Sequence, residues 1–268
     1  MRLTVQHESI YRYDKPVRGV VQSHRLTPAR FDGQQVETWE VRVSGGQQGG
    51  EFRDGAGDWV QGWTIPGPIS KITVTVSGTI QTSDLAGVLR GHRELVAPAV
   101  YLRDTLPTVP DIALSDLAAS ASGADGLALA HALAAAVGEA IAYRPGVTHA
   151  HTTAAEALAL GEGVCQDHAH ALIACARLRG MPARYVSGYL HSDSDGQGHE
   201  AAHAWAEVHV EGLGWVGFDP ANRCCPDERY IRLGSGLDAR DAAPIRGIAR
   251  GNGAEHLDVM VAVVAQQQ

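Results

Sequence analysis

Four cysteines in 268 residues, Cys165, Cys175 and the adjacent Cys224 and Cys225, are too few and too clustered for a disulfide scaffold. The vicinal pair could bond only with strain, so all four are expected as reduced thiols. Also lacking is any apolar run near the roughly 18 residues that a membrane helix needs. The opening MRLTVQHESIYRYD alternates polar and apolar side chains and has none of the apolar core of a secretory signal. A cytoplasmic protein with no membrane partner is the expectation. Runs of Lys and Arg are missing, and a formal charge of -8 would repel a phosphate backbone, which argues against nucleic acid. What is there, 44% hydrophobic and 19% charged residues, is the composition of a globular fold and excludes a disordered or fibrous chain.

From Met1 to about Thr82 short alternating runs, such as 36–43 and KITVTVSGTI at 71–80, are separated by Gly-rich turns. This is the pattern of a β-rich region. Between Ser83 and about Tyr143 the composition shifts to Ala and Leu, and ADGLALAHALAAAVGEAIAY carries apolar residues at helical spacing. Thr153 and Glu156 suit a capping box for a short helix ending at Gly161. A second helix is predicted over 165–179, with His168, Ala169, Leu172, Ile173 and Ala176 on one face and Gly180 and Pro182 as the stop. ARYVSGYL, HAWAEVHV and GLGWVGF then read as strands. Beyond Tyr230 the stretch GSGLDARDAAPIRG reads as loop, and 257–264 as a closing strand able to pair with the N-terminal region.

A nucleophilic cysteine gains from a helix N-terminus, where free N–H groups and partial positive charge favour a thiolate and can later hold an oxyanion. Cys165 in GEGVC has that place; a buried structural cysteine is the alternative. His203 opens the strand HAWAEVHV, whose alternation puts His203, Trp205, Glu207 and His209 on one face and Ala204, Ala206, Val208 and Val210 toward the core. Asp219 ends the next strand, and a hairpin through Gly212–Gly214 would bring it beside His203, where a carboxylate fixes the tautomer and steadies an imidazolium. One histidine among 13 is often only structural, and an Asp before Pro220 is a common turn residue. Trp205 could cover the thiolate cleft, His168 could pack or line it, and Gln166 and Asp167 suit the first helical turn without a catalytic role.

GVCQDHAHALIACARLRGMPARYVSGYL followed by AHAWAEVHVEGLGWVGFDPAN resembles the core of the transglutaminase-like superfamily. HESIYRYDKPV and RLTPAR resemble the β-domain preceding that core in the family's bacterial branch of cysteine proteases. The resemblance implies a papain-like α+β core, with Cys165, His203 and Asp219 on the family's catalytic positions and acyl-enzyme chemistry on an amide. With the patterns above, the chain reads as a β-rich N-terminal domain (1–82), a transglutaminase-like catalytic domain with helical lead-in (83–230) and a C-terminal tail with a closing strand (231–268). GLDARDAAPIRG departs from it where an Arg and a Tyr would flank the first Asp.

A rival motif claims the same histidine. His199, Glu200 and His203 match H-E-x-x-H, with His209 where an extended zinc motif places its third ligand. Zinc would need His199 and His203 on one helical face, with Glu200 as general base. The turn-rich DSDGQG before them and the period-2 pattern after them oppose that helix, and Ala206 stands where the extended motif has Gly. The expectation is therefore a cysteine protease or amidase on a peptide or protein substrate, with no cofactor and no metal. Amine transfer by the same three residues, and a non-catalytic binding module of the same fold, are the other readings; the sequence sets no oligomeric state.

Overall fold

The computed structural model describes residues 1–192 and 201–265. Two long strands, β1 (Arg2–His24) and β4 (Trp59–Thr82), pair antiparallel as the spine of a six-stranded sheet. β2 (Gln34–Val43) pairs with the second half of β4 and β3 (Gln47–Arg53) with its first half. The runs are longer than their alternation predicts, because pairing continues through register shifts between Arg12 and Gly19 that bend β1 without ending it. The sheet is finished from the far end of the chain: β11 (Ile245–Ala249) and β12 (Glu255–Ala265) both pair with β1. The closing strand over 257–264 thus lies against the N-terminal region.

The connector after β4 runs to Ala97 as turns and bends with an isolated bridge from Val88 to Val216, against the helical reading of that stretch. Helices begin in earnest with α1 (Ile112–Ser120) and α2 (Gly126–Ala140), each started by an aspartate, Asp111 and Asp125, that accepts a backbone N–H at 2.8 Å. The two-residue strands β5 (Ala142–Tyr143) and β6 (Glu162–Gly163) pair on either side of α3 (Ala154–Leu160), which has the Thr153–Glu156 capping box. Then follow α4 (Cys165–Leu178), β7 (Ala183–Leu190), β8 (Ala202–Val210), β9 (Gly214–Phe218) and β10 (Tyr230–Gly236). The last four make an antiparallel sheet in the order β10-β7-β8-β9.

α4 is the centre of this α+β core. Ala204, Ala206, Val208 and Val210 of β8 pack toward it with Leu172, Ile173 and Ala176, while α1, α2 and α3 cover its other side. Hence α4 is buried around its circumference from Asp167 to Arg177, where sequence periodicity predicted a single buried face. The start of the tail also differs from its loop-like reading. Tyr230–Gly236 is an edge strand on β7, with a register shift between Arg232 and Gly234 that accommodates its glycines.

The opposite face of β7 and β10 lies on the N-terminal sheet through Leu3, Val5, Ile80, Tyr189, Ile231 and Leu233. An ion-pair chain crosses the same junction. Arg232 bonds Asp58 at 2.7 Å and Glu207 at 2.8 Å, Glu207 bonds Arg184 at 2.7 Å, and Arg184 also pairs with Glu94. The Arg184 guanidinium lies 4.0 Å from the centroid of Trp215. These charges are deeply buried and survive there because each has a partner.

Candidate active site

The approach to Cys165 is fixed before the helix begins. β6 delivers Gly163, and the Asp167 carboxylate reaches back to the Val164 N–H at 2.8 Å while accepting the Thr148 hydroxyl at 2.6 Å. A Cβ on Gly163 would lie 2.8 Å from Asp167, so glycine lets that carboxylate close over the first turn. Cys165 is therefore the first residue of α4, half-buried, at the positive end of the helix. Asp167 is a first-turn residue as its sequence position suggested, and His168 is packed, its ring between the carbonyls of Val164 and Ile141.

His203 lies opposite Gly188 of β7, near the start of β8. The β8–β9 hairpin places Asp219 beside it, and Nε2 of the ring meets Asp219 Oδ2 at 2.6 Å. Cys165 is near enough to the ring to favour its charged form. Burial pushes the imidazolium down, but the bonds to Asp219 and Cys165 outweigh it and lift His203 to about 10. Burial raises Asp219 in turn, while its bonds to His203, Asn222 and Tyr230 bring it below the usual carboxylate range. The structure thus brings together all three sequence candidates.

Two residues around Asp219 were not singled out from the sequence. Asn222 donates its side-chain amide to Oδ2 at 2.7 Å and its backbone N–H to Oδ1 at 3.2 Å, and the Tyr230 hydroxyl donates to Oδ2 at 2.8 Å. Asp-x-x-Asn in a turn after a strand signals the first; nothing local signals the second, which comes from an edge strand 11 residues on. Trp205 stacks on His203 with ring centroids 6.4 Å apart, and Tyr230 stands edge-on to both rings. A Cβ at Gly188 would meet the Trp205 ring at 2.6 Å, so glycine makes room for the indole.

The zinc geometry fails at His203. That residue is in a strand, with its Nε2 taken by Asp219, whereas the motif requires a helix; His199 and Glu200 lie outside the described residues. His209, on the same strand, packs edge-on against Trp215. Cys175 is buried and Cys224 and Cys225 are half-buried, all as free thiols.

Comparison with known proteins bears on the family and the fold. The profile of the transglutaminase-like superfamily matches residues 116–220, and that of the bacterial transglutaminase-like N-terminal region matches residues 3–81. An uncharacterized protein of Mycobacterium leprae is 31% identical over 287 residues, covering 98% of both chains. An uncharacterized Mycobacterium bovis protein is 44% identical over 132 residues, 46% of this chain and 42% of its own. Among solved structures, a candidate cysteine protease from Cytophaga hutchinsonii superposes over 100% of this chain and 92% of its own with a TM-score of 0.73 at 20% identity, a likeness of fold. With both profiles in order along one chain and a relative matched end to end, this protein belongs to the transglutaminase-like superfamily, in the bacterial branch with a β-rich N-terminal region.

Proposed function

We propose that this chain is a cysteine-dependent hydrolase of peptide or carboxamide bonds, with Cys165 as nucleophile, His203 as its base and Asp219 orienting that base. The observation that carries the reading is the His203 ring, bonded to Asp219 at 2.6 Å on Nε2 and held in its charged form by Asp219 and Cys165 together against its burial. With the thiol's proton held on His203, Sγ attacks the substrate carbonyl carbon, forming a C–S bond while the C=O π pair becomes an oxyanion. The N–H groups of Cys165 and Gln166 at the start of α4 are the donors this reading assigns to that oxyanion. Collapse breaks the C–N bond, and His203 returns the proton to the departing amine. Water then loses a proton to His203 and attacks the thioester; C–S cleavage releases the acid and restores the thiol. If an amine enters instead of water, the same steps make a new amide, which is the transferase form of this chemistry.

Acyl trapping from a peptide library tests the reading. The expected result is an acyl adduct on the Cys165 peptide that is lost in both Cys165→Ala and His203→Ala, with free acid released and no labelled primary amine incorporated. Amide cleavage that survives Cys165→Ala, or that a chelator abolishes and thiol reagents leave intact, would overturn it.

A further inference from the structure

We propose that a groove at the junction of the N-terminal sheet and the core, walled by Arg30, Arg53 and Arg93, binds the carboxylates of an acidic peptide segment. The groove has a volume of about 580 Å³, room for several residues of peptide. In a chain of net charge -8, three guanidiniums around one cavity run against the overall field. None of the three is ion-paired with a carboxylate among the described residues, and the two acids that share the wall are neutralised from elsewhere. Asp54 pairs with Arg25 at 3.0 Å and accepts the N–H groups of Ala56 and Asp58, and Glu94 is engaged by the buried Arg184 and by the Trp215 indole at 2.5 Å. The groove therefore presents positive charge that its own acids do not quench.

Its walls are built. His92 Nε2 lies 2.7 Å from the Ala56 carbonyl, its Nδ1 lies 3.3 Å from that of Arg30, and the N–H groups of Leu95 and Val96 both reach Gly55. Gly57, at a φ of +83°, sits so close to the next segment that a Cβ would lie 2.1 Å from the Arg93 carbonyl. The backbones of the three arginine-bearing segments are thus locked to one another, and the exposed guanidiniums they carry are planar forks suited to carboxylates. Arg53 lies 5.8 Å over the Trp59 ring, and Leu95, 93% exposed, gives the rim an apolar ledge. A single inorganic ion would use neither the ledge nor the volume; an acidic peptide with an apolar side chain uses both. The choice of peptide rests on the hydrolase reading above.

The test is direct binding to the Cys165→Ala chain, so that no turnover is needed and failure of the acyl-transfer reading shows separately. Fluorescence anisotropy of a labelled peptide of alternating Glu and Leu is compared with its Lys–Leu counterpart. The expected result is binding of the acidic peptide alone, weakened by salt and at least about tenfold weaker in the Arg30→Gln, Arg53→Gln, Arg93→Gln triple variant, whose melting curve confirms an intact fold. Equal affinity in the triple variant, equal binding of the Lys peptide, or saturation by inorganic phosphate with no peptide binding would each overturn the proposal.

Discussion

Replacing Asp219 with asparagine asks whether its carboxylate holds the charge on His203. Burial by itself would strip the imidazolium of its proton early, yet the bonds to Asp219 at 2.6 Å and to Cys165 lift it to about 10. Asparagine keeps the side-chain shape and removes the charge. A hydrogen bond to a charged group contributes about 1.5–3 kcal/mol. At about 1.4 kcal/mol per pH unit, His203 in Asp219→Asn should lose its proton roughly 1–2 units earlier than in the native chain. The assay is the rate of iodoacetamide alkylation of Cys165, followed by mass spectrometry from acid to strongly alkaline pH, where a step marks the loss of the His203 proton. The native step is expected near the raised value of His203 and the variant's below it. Stability carries the same sign: because the folded value is raised, the contribution of His203 is complete below its ordinary 6.5 and is lost as pH rises through about 10. An unmoved step in a folded Asp219→Asn chain would refute the orienting role.

Iodoacetamide at neutral pH should modify Cys165 well ahead of the other three thiols, since burial pushes Cys175 up to about 12, Cys225 up to about 11 and Cys224 also upward; equal rates by peptide mapping would count against the site. Tyr230→Phe keeps the edge-on contacts with His203 and Trp205 but deletes one donor to Asp219, and urea denaturation should show a loss of about 1–2 kcal/mol. Gly188→Ala puts a methyl 2.2 Å from the Ile231 carbonyl and 2.6 Å from Trp205, so a loss of at least about 1–3 kcal/mol is expected, with alkylation of Cys165 slowed as the indole shifts. Glu207→Gln strips a shared partner from Arg184 and Arg232 and should cost about 3–5 kcal/mol by the same denaturation. Glu207 is held down to about 2 by those arginines against its burial, so its contribution is present above its ordinary 4.5 and lost as pH falls through 2.

Local signals carried the parts of the fold that are local. The Thr153–Glu156 capping box and the Gly161 turn announce α3, and the apolar run after GEGVC announces α4, because capping and helical period involve residues three and four apart. Alternation in β8 separates the alanine and valine face from the His203 face, and that division is kept in the packing. Alternation cannot say what covers the second face. Arg184, Glu207 and Arg232 look like solvated strand charges until Asp58, 174 residues before Arg232, arrives from another sheet. Their one sequence trace is that they sit inside otherwise apolar strands, where an unpartnered charge would not survive. β10 escaped detection for a different reason: YIRLGSG ends in two glycines without clear alternation, and it is a strand because β7 offers it an edge.

β10 joins the two halves of the molecule to the same histidine. Tyr230 and Arg232 are two residues apart on that strand, so their side chains leave it on one face. The first donates to Asp219, which holds His203; the second bonds Glu207, which shares a β8 face with His203. Arg232 is also held from the N-terminal side by Asp58 and, through its backbone, by Gln34. The partners of His203 are therefore set by a strand whose register depends on the N-terminal sheet. That sheet is in turn completed by β11 and β12, so the C-terminal residues reach the site through the sheet they close. The hydrogen bonds that hold Asp219 are thus tied, through Tyr230 and Arg232 of β10, to Asp58 and Gln34 of the N-terminal region.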